Sequence, residues 1–114
     1  MTTVVIGISG RDEVNARVMR ALETGKPQGA YRSFENSAEL WRTLSPKRWD
    51  VLKVMTGAGA LSLREVARRV ERDVKGVHTD VHILLNAGLL DKTDDGKFIF
   101  PFDSVHVDFM LEAA

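Results

Sequence analysis

The chain lacks cysteine, an excess of either charge and any long apolar run, and each of these absences excludes a class of protein. Without cysteine it has neither a disulfide framework nor a thiolate metal site, which suits a reducing compartment. No segment approaches the roughly 18 apolar residues of a membrane span. The stretch MTTVVIGISG also lacks the basic start and long apolar core of a signal peptide. We therefore expect a cytoplasmic protein.

The net charge indicates no particular partner, but the charges are unevenly distributed. Sixteen basic and sixteen acidic residues cancel, so the overall field does not predict a polyanionic ligand. Residues 64–75 hold five Lys or Arg residues against three acids, whereas residues 98–114 hold acids and no Lys or Arg. This pattern is compatible with a local basic surface on a neutral protein.

The first 44 residues predict short strands and helices. TVVIGI is rich in β-branched residues and predicts a strand, and AYRSF predicts a second one. Between them, Arg11–Glu23 has the apolar spacing of a helix, and NSAELWRTL predicts a short helix capped by Asn36. Because this segment is too small to fold alone, we expect it to pack on its neighbour or on a second copy. Trp41 and Trp49 fall on apolar faces and are expected in the core, with a dimer contact as the alternative for Trp41.

The next segment predicts two helices with clear N-terminal signals. Ser45 is a cap and Pro46 a first helical residue, so a helix is expected from there to about Thr56. Leu61 is expected to form a very short strand. Ser62–Glu65 has the Ser-x-x-Glu pattern of a capping box, which predicts the start of a second helix.

A third helix and a hairpin follow in the sequence. Asp73 caps the stretch DVKGVHTDVHILLNAGLL, which is expected to be helical to about Asn86 and to end at Gly88. The extended runs LLDKT and KFIFPF flank DDG, a strong hairpin signal. SVHVDF alternates apolar and polar residues, so it is either a third strand or an arm that reaches a partner. The apolar face of the helix is formed by Val74, Val77, Val81, Leu84 and Leu85.

Helix, helix, short turn, helix and hairpin is the order of a winged helix-turn-helix. We therefore predict an α+β fold in which a three-helix core and a β-hairpin wing follow an N-terminal strand-helix extension. Residues 1–44 would form this extension and contribute to dimerisation, residues 45–109 the DNA-binding domain, and residues 110–114 a tail. Asp73–Asn86 would be the recognition helix and Leu89–Phe102 the wing.

The predicted recognition helix carries polar groups opposite its apolar face. The N-terminal residues of such a helix meet base edges and phosphates in the major groove. Base-edge contacts are predicted for Lys75, His78, Thr79 and His82, and Gly76 would allow close approach of the backbone. DNA contacts are also predicted for residues of the preceding helix, the turn and the wing, namely Arg64, Arg68, Arg69, Arg72, Lys92, Thr93 and Lys97.

The stretch SLREVARRVERDVKGVHTDVHILLNAGLLDKTDDGKFIFPFDSVHVDF resembles the winged helix-turn-helix transcriptional regulators of prokaryotes, especially short DNA-binding proteins related to the MarR and ArsR types. Its most specific parts are REVARRV, DVKGVHTDV, and GLL before DDG. The resemblance implies a homodimer that represses transcription, in some cases as the antitoxin of a neighbouring toxin. The recurring DVKxVHxDV pattern is matched by Asp73, Val74, Lys75, Val77, His78, Asp80 and Val81. Thr79 stands where the resemblance leads us to expect a longer basic or polar residue, and His82 also departs from the family.

The combined prediction is a dimeric, sequence-specific regulator of double-stranded DNA without a cofactor, and two other classes of function stay open. His78 and His82 have a spacing that binds divalent metals, but a metal-responsive ArsR-like sensor needs further ligands, such as His106 and Asp108. A winged helix without DNA affinity would be a protein-interaction module. For a toxin partner, the acidic candidates are Asp103, Asp108 and Glu112.

No catalytic pattern is evident in the sequence. We find no nucleophile with a nearby base, and Asp94 and Asp95 are better explained as turn residues. The stretch GISG lies between a predicted strand and a predicted helix, but it lacks the GxxxxGK[ST] and GxGxxG patterns. A plain turn is therefore expected there, and no enzymatic activity.

Overall fold

A computed structural model describes residues 2–8 and 30–109 of the chain, which form an α+β arrangement. The predicted helix Arg11–Glu23 lies outside the described residues. None of the described helices is both long and apolar enough to cross a membrane. The described elements, in chain order, are β1 (Thr3–Ile8), β2 (Ala30–Phe34), α1 (Ser37–Thr43), α2 (Pro46–Met55), α3 (Leu63–Val70), α4 (Val74–Asn86), β3 (Asp91–Lys92), β4 (Phe98–Ile99) and β5 (Ser104–Asp108).

Each of these four helices begins at a side-chain cap, as the sequence predicts. The cap side chain accepts a hydrogen bond from the backbone N–H three residues on, which satisfies one of the N–H groups that a helix start leaves free. In α2, Pro46 follows the cap, where its missing N–H costs nothing. The caps of α1 to α4 are Asn36, Ser45, Ser62 and Asp73.

The turn between α3 and α4 is tight because Glu71 adopts the left-handed conformation, with φ 56° and ψ 46°. Its N–H caps the end of α3 by bonding to the carbonyls of Ala67 and Arg68. A non-glycine residue in this region costs roughly 1 kcal/mol. The turn therefore fixes the relative direction of the two helices at a small local cost.

β1 is the central strand of a parallel three-stranded sheet in the order β2-β1-β5. SVHVDF is thus a strand, one of the two alternatives that its alternation allows, and its partner is β1 rather than the hairpin. Val4 pairs with Val105 and Ile6 with Val107, so these apolar side chains share one face of the sheet.

The predicted hairpin is present, but its strands are only two residues long, far shorter than the predicted wing. The N–H of Gly96 bonds to the carbonyl of Thr93, and Gly96 has φ 79°. This is a turn followed by a left-handed glycine, the usual three-residue hairpin loop. Leu61 forms the predicted short bridge, exchanging two backbone hydrogen bonds of 2.8 Å with Phe98.

One hydrophobic core joins the sheet to the helices. Val4 and Ile6 of β1 are fully buried in the same cluster as the inward residues of α2, α3, α4 and the hairpin. The described part of the N-terminal segment, residues 2–8 and 30–44, therefore packs on its neighbour, the first of the two expected arrangements. The largest buried members of the cluster are Phe100, Ile6, Leu40, Leu52, Met55, Leu84, Leu89 and Leu90.

Two apolar residues are exposed, contrary to the prediction from their helical faces. Trp41 is 57% exposed, because the short helix α1 turns Leu40 inward and leaves its neighbour at the rim, where its ring packs in a T-shaped arrangement with that of Phe109. Val74 is 41% exposed, because it is the first residue of α4. Trp49, by contrast, is half-buried against the core.

Candidate nucleic-acid interface

The N-terminal half of α4 presents polar side chains on the surface of the molecule. Lys75, His78 and Thr79 are all exposed, whereas Val77 and Val81 on the opposite side are fully buried. Three of the four predicted base-contacting residues therefore share one exposed helical face. Their donors and acceptors differ, because Lys75 carries a fixed positive charge, His78 an imidazole and Thr79 a hydroxyl.

The fourth predicted residue, His82, is half-buried between His78 and the hairpin. Its ring stacks on that of His78, with the ring centres 4.1 Å apart. It also packs in a T-shaped arrangement with the ring of Phe98, and those two ring centres are 5.8 Å apart. Its Nδ1 lies 2.8 Å from the carbonyl oxygen of His78, so Nδ1–H donates to that oxygen. His82 thus connects α4 to β4, and His78 offers the more accessible ring.

Gly76 lies where the chain's own side chains crowd the first turn of α4. A Cβ atom added to Gly76 would lie 2.9 Å from Oδ1 of Asp73 and 3.2 Å from Nη2 of Arg72. The N–H of Gly76 also donates to Asp73 at 3.2 Å. The absence of a side chain at Gly76 therefore leaves room for the helix cap and for Arg72. These two groups occupy the space in which a DNA backbone was predicted to approach.

Two of the three arginines of α3 contact a single carboxylate, that of Glu65. Glu65 Oε2 accepts from Nε of Arg68 at 2.9 Å, and Oε1 accepts from Nε of Arg69, also at 2.9 Å. These hydrogen bonds lower the pKa of Glu65 to about 2, so the carboxylate stays charged at neutral pH. Arg64 is exposed and has no ion-pair partner among residues 2–8 and 30–109. The positive charge of this surface is therefore partly neutralised within α3.

The fourth arginine of this region, Arg72, is paired with a buried acid that the sequence analysis did not assign. Asp80 is only 7% exposed, and its two oxygens face different arginines. Nε of Arg48, from α2, donates to Oδ1 at 3.1 Å. Nη1 of Arg72 lies 2.8 Å from Oδ2, close enough for an ion pair although the angles are not those of a hydrogen bond.

A signal for this network exists in the sequence. Asp80 lies three residues after Val77 and next to Val81, on the border of an apolar face, where an acid is costly unless it is paired. Removing one partner of a buried ion pair typically costs about 3–5 kcal/mol. The partners themselves are not visible in the pattern, because Arg48 is 32 residues away.

At the hairpin, the predicted DNA-contacting residues are partly engaged by the chain itself. The Thr93 hydroxyl donates to Asp95 and lowers the pKa of that carboxyl, and Lys97 lies 3.8 Å from the same residue. The ammonium of Lys92 lies 6.0 Å from the ring centre of Phe98. Since Asp94 and Asp95 are also exposed at the tip, the hairpin is less suited to phosphate than α3 and α4 are.

The residues that a metal sensor would need do not come together in the described structure. Within residues 2–8 and 30–109, no group of three or more His, Asp or Glu side chains is placed to hold a metal ion. His106 and Asp108 lie on β5, in the sheet, whereas His78 and His82 lie on α4. Among the acids predicted to face a toxin, Asp103 accepts hydrogen bonds from the backbone and hydroxyl of Thr2, which lower its pKa.

A second surface feature, here called the tryptophan groove, lies between α1, α2 and β5. It has a volume of about 550 Å³, and its walls are almost entirely apolar. The adjacent strand β5 lies at the edge of the described sheet, so its outer backbone groups have no strand partner there. The groove is lined by Trp41, Leu44, Pro46, Trp49 and Val107.

Comparison with known proteins identifies one family. No curated protein and no solved structure matches the chain. The family HVO_A0114, whose description states no activity, matches residues 43–107, which are 65 of the 114 residues and run from the end of α1 into β5. Because the match covers more than half of the chain, the protein belongs to the HVO_A0114 family.

Proposed function

We propose that the protein is a sequence-specific, double-stranded DNA-binding transcriptional regulator of the winged helix-turn-helix type. The observation that carries the proposal is the two-sided character of α4. Its buried side packs with α2 and α3, whereas Lys75, His78 and Thr79 are exposed together at its N-terminal half. In such a fold, α2 to α4 form the three-helix core, and the β3–β4 hairpin is the wing.

In this proposal α4 is the recognition helix, which lies in the major groove of the DNA. The major groove of B-DNA is about 12 Å wide and admits one α-helix, which reads base edges with the residues of its N-terminal turns. Lysine pairs with guanine, and a threonine hydroxyl can donate to or accept from a base edge. Arg64, Arg68 and Arg69 on α3 would then lie toward the phosphates that flank the groove.

A homodimer that acts as a repressor is part of the proposal. Two copies that meet at the tryptophan groove and at β5, the edge strand of the described sheet, would bury Trp41 and form an isologous interface. The two copies of α4 would then reach half-sites whose centres lie about one helical turn, roughly 10 base pairs, or a multiple apart. A toxin partner and a cytoplasmic location stay predictions.

A titration of the purified protein tests this proposal. Its affinity is measured for the DNA upstream of its own gene and for random duplex of equal length, each at two salt concentrations. Site-selective binding with a steep salt dependence is expected, because phosphate contacts release counterions. Absence of binding at low salt, or equal affinity for both duplexes, would contradict sequence-specific regulation.

The second candidate function is a protein-interaction module. The observation in its favour is the tryptophan groove, with an indole that is 57% exposed at its rim. Exposed tryptophan is frequent at the centres of protein interfaces. The same titration separates the two functions, because an interaction module without DNA affinity would bind neither duplex at low salt.

A further inference from the structure

The buried carboxylate of Asp80 has no role in the DNA contacts proposed so far, yet it lies on α4 itself. It is the one buried charged side chain of the described core, and it joins three elements. Arg48 reaches it from α2, and Arg72 reaches it from the turn before α4. A carboxylate this close to the proposed DNA-binding surface would repel phosphate unless neighbouring positive charges offset it.

Arg72 offsets the negative charge of Asp80 beside the first turn of α4. Its Nη1 is held at 2.8 Å from Asp80, and its Nη2 lies beside Gly76, where a Cβ would be only 3.2 Å away. The guanidinium is therefore fixed across the first turn of α4 instead of extending freely into solvent. Arginine has five N–H donors, so one pairing with Asp80 leaves others for a second acceptor.

The other side of Asp80 is anchored in α2. Nε of Arg48 donates to Asp80 at 3.1 Å, and Nη1 of Arg48 donates to the carbonyl oxygen of Arg42 at 2.6 Å. Asp80 is thereby held from one side by an arginine that is itself fixed. Its second oxygen is left for Arg72.

We propose that Asp80 is a positioning residue for DNA binding, which holds Arg72 across the first turn of α4 so that the remaining donors of Arg72 bind a DNA phosphate. This inference rests on the proposed function. It makes Arg72 a phosphate ligand with a fixed direction. It also gives the glycine at position 76 a role, since a Cβ there would lie 2.9 Å from Oδ1 of Asp73 and 3.2 Å from Nη2 of Arg72, so both groups would have to shift.

The direction of the effect separates positioning from simple charge. Asp80→Asn removes a negative charge near DNA, so charge alone predicts tighter binding at every sequence. Positioning predicts the opposite, because Arg72 loses its fixed direction. We expect Asp80→Asn and Arg72→Ala each to weaken binding about tenfold on specific and random duplexes, as for the loss of one charge-assisted contact. The slope of log K against log salt should become shallower by about 0.9 in each variant.

A double-mutant cycle separates positioning from a general loss of structure. If Asp80 acts through Arg72, the double variant Asp80→Asn/Arg72→Ala binds no more weakly than Arg72→Ala alone. Arg32→Ala is the matched control, since it removes an arginine that donates to the carbonyl oxygen of Gly88 and leaves both Asp80 and Arg72 in place. It is expected to lower the melting temperature while keeping the salt slope of the wild type.

The results that overturn the inference are distinct from those that overturn the proposed function. Equal or tighter binding by Asp80→Asn, losses that add in the double variant, or the same slope change in Arg32→Ala would each refute positioning. If Asp80→Asn does not fold, Arg72→Lys keeps the positive charge but lacks the planar set of donors that would contact Asp80 and a phosphate together, and an unchanged salt slope in that variant would refute positioning. Wild-type protein that binds neither duplex would refute the proposed function, and the inference with it.

Discussion

Replacing Glu65 by glutamine should strengthen DNA binding, because this carboxylate neutralises two arginines of α3. Both Arg68 and Arg69 donate to Glu65, which remains charged at neutral pH because its pKa is about 2. The variant keeps the shape of the side chain and the cap at Ser62, whose oxygen bonds the backbone N–H of residue 65. The two guanidinium groups then become available to phosphate.

The size of the effect follows from counterion release. Each additional phosphate contact steepens the slope of log K against log salt by about 0.9, so two freed arginines should steepen it by about 1.8. Fluorescence anisotropy with a labelled random duplex at four salt concentrations measures this slope. The gain should be largest at low salt and should appear on specific and random DNA alike.

Glu71→Gln is the matched control for this experiment. It changes the net charge by the same amount in the same region, but Glu71 forms no ion pair with any described residue, so it frees no arginine. We expect its slope to stay close to that of the wild type. A Glu65→Gln slope that is equal to the wild type or to Glu71→Gln would show that α3 does not face the phosphates.

Three further outcomes are expected from single changes. Lys75→Ala should weaken binding to the specific site by about 1–3 kcal/mol and should weaken binding to random duplex much less. Competition titrations measure both losses, and equal losses would make Lys75 a phosphate contact. Glu71→Gly should raise the free energy of unfolding in urea by about 1 kcal/mol, because glycine adopts φ 56° without strain. Because the pKa of Glu65 is lowered in the folded state, its contribution to stability is present above about pH 4.5 and is lost as the pH falls toward about 2. The melting temperature of Glu65→Gln should therefore depend less on pH in that range than that of the wild type, and parallel curves would contradict this.

The helix starts were predictable from the sequence because their signals are local. Ser45, Ser62 and Asp73 each bond a backbone N–H three residues away, so the residues that determine the start of a helix are adjacent in the chain. The hairpin turn was predictable for the same reason, because Gly96 provides the left-handed conformation that the loop needs. The predicted α+β arrangement of short strands and helices is confirmed by these elements.

The features that were not predicted depend on residues far apart in the sequence. β5 pairs with β1 over about 100 residues, and alternation reveals a strand but not its partner. The exposure of Trp41 depends on how the two-turn helix α1 meets the core, which a helical wheel does not show. The pairing of Asp80 with Arg48 and Arg72 requires α2, the turn and α4 to be assembled first.

In the candidate interface, too, some features were predictable from local sequence and others depend on distant contacts. Lys75, His78 and Thr79 were predicted to be accessible because helical periodicity separates them from Val77 and Val81, and they are exposed. The state of the arginines was not predicted, because ion pairs with Glu65 and Asp80 decide which guanidinium groups are free. Sequence periodicity thus locates the surface, and the ion pairs determine its charge.

The most direct test of the central claim is to map, by NMR of labelled protein, the backbone amides whose chemical shifts change when the upstream DNA is added. The account predicts that the largest changes fall on the N-terminal half of α4, at Lys75, His78 and Thr79, with smaller ones along α3. Changes confined to the tryptophan groove around Trp41 and Val107, with α4 unaffected, would contradict it.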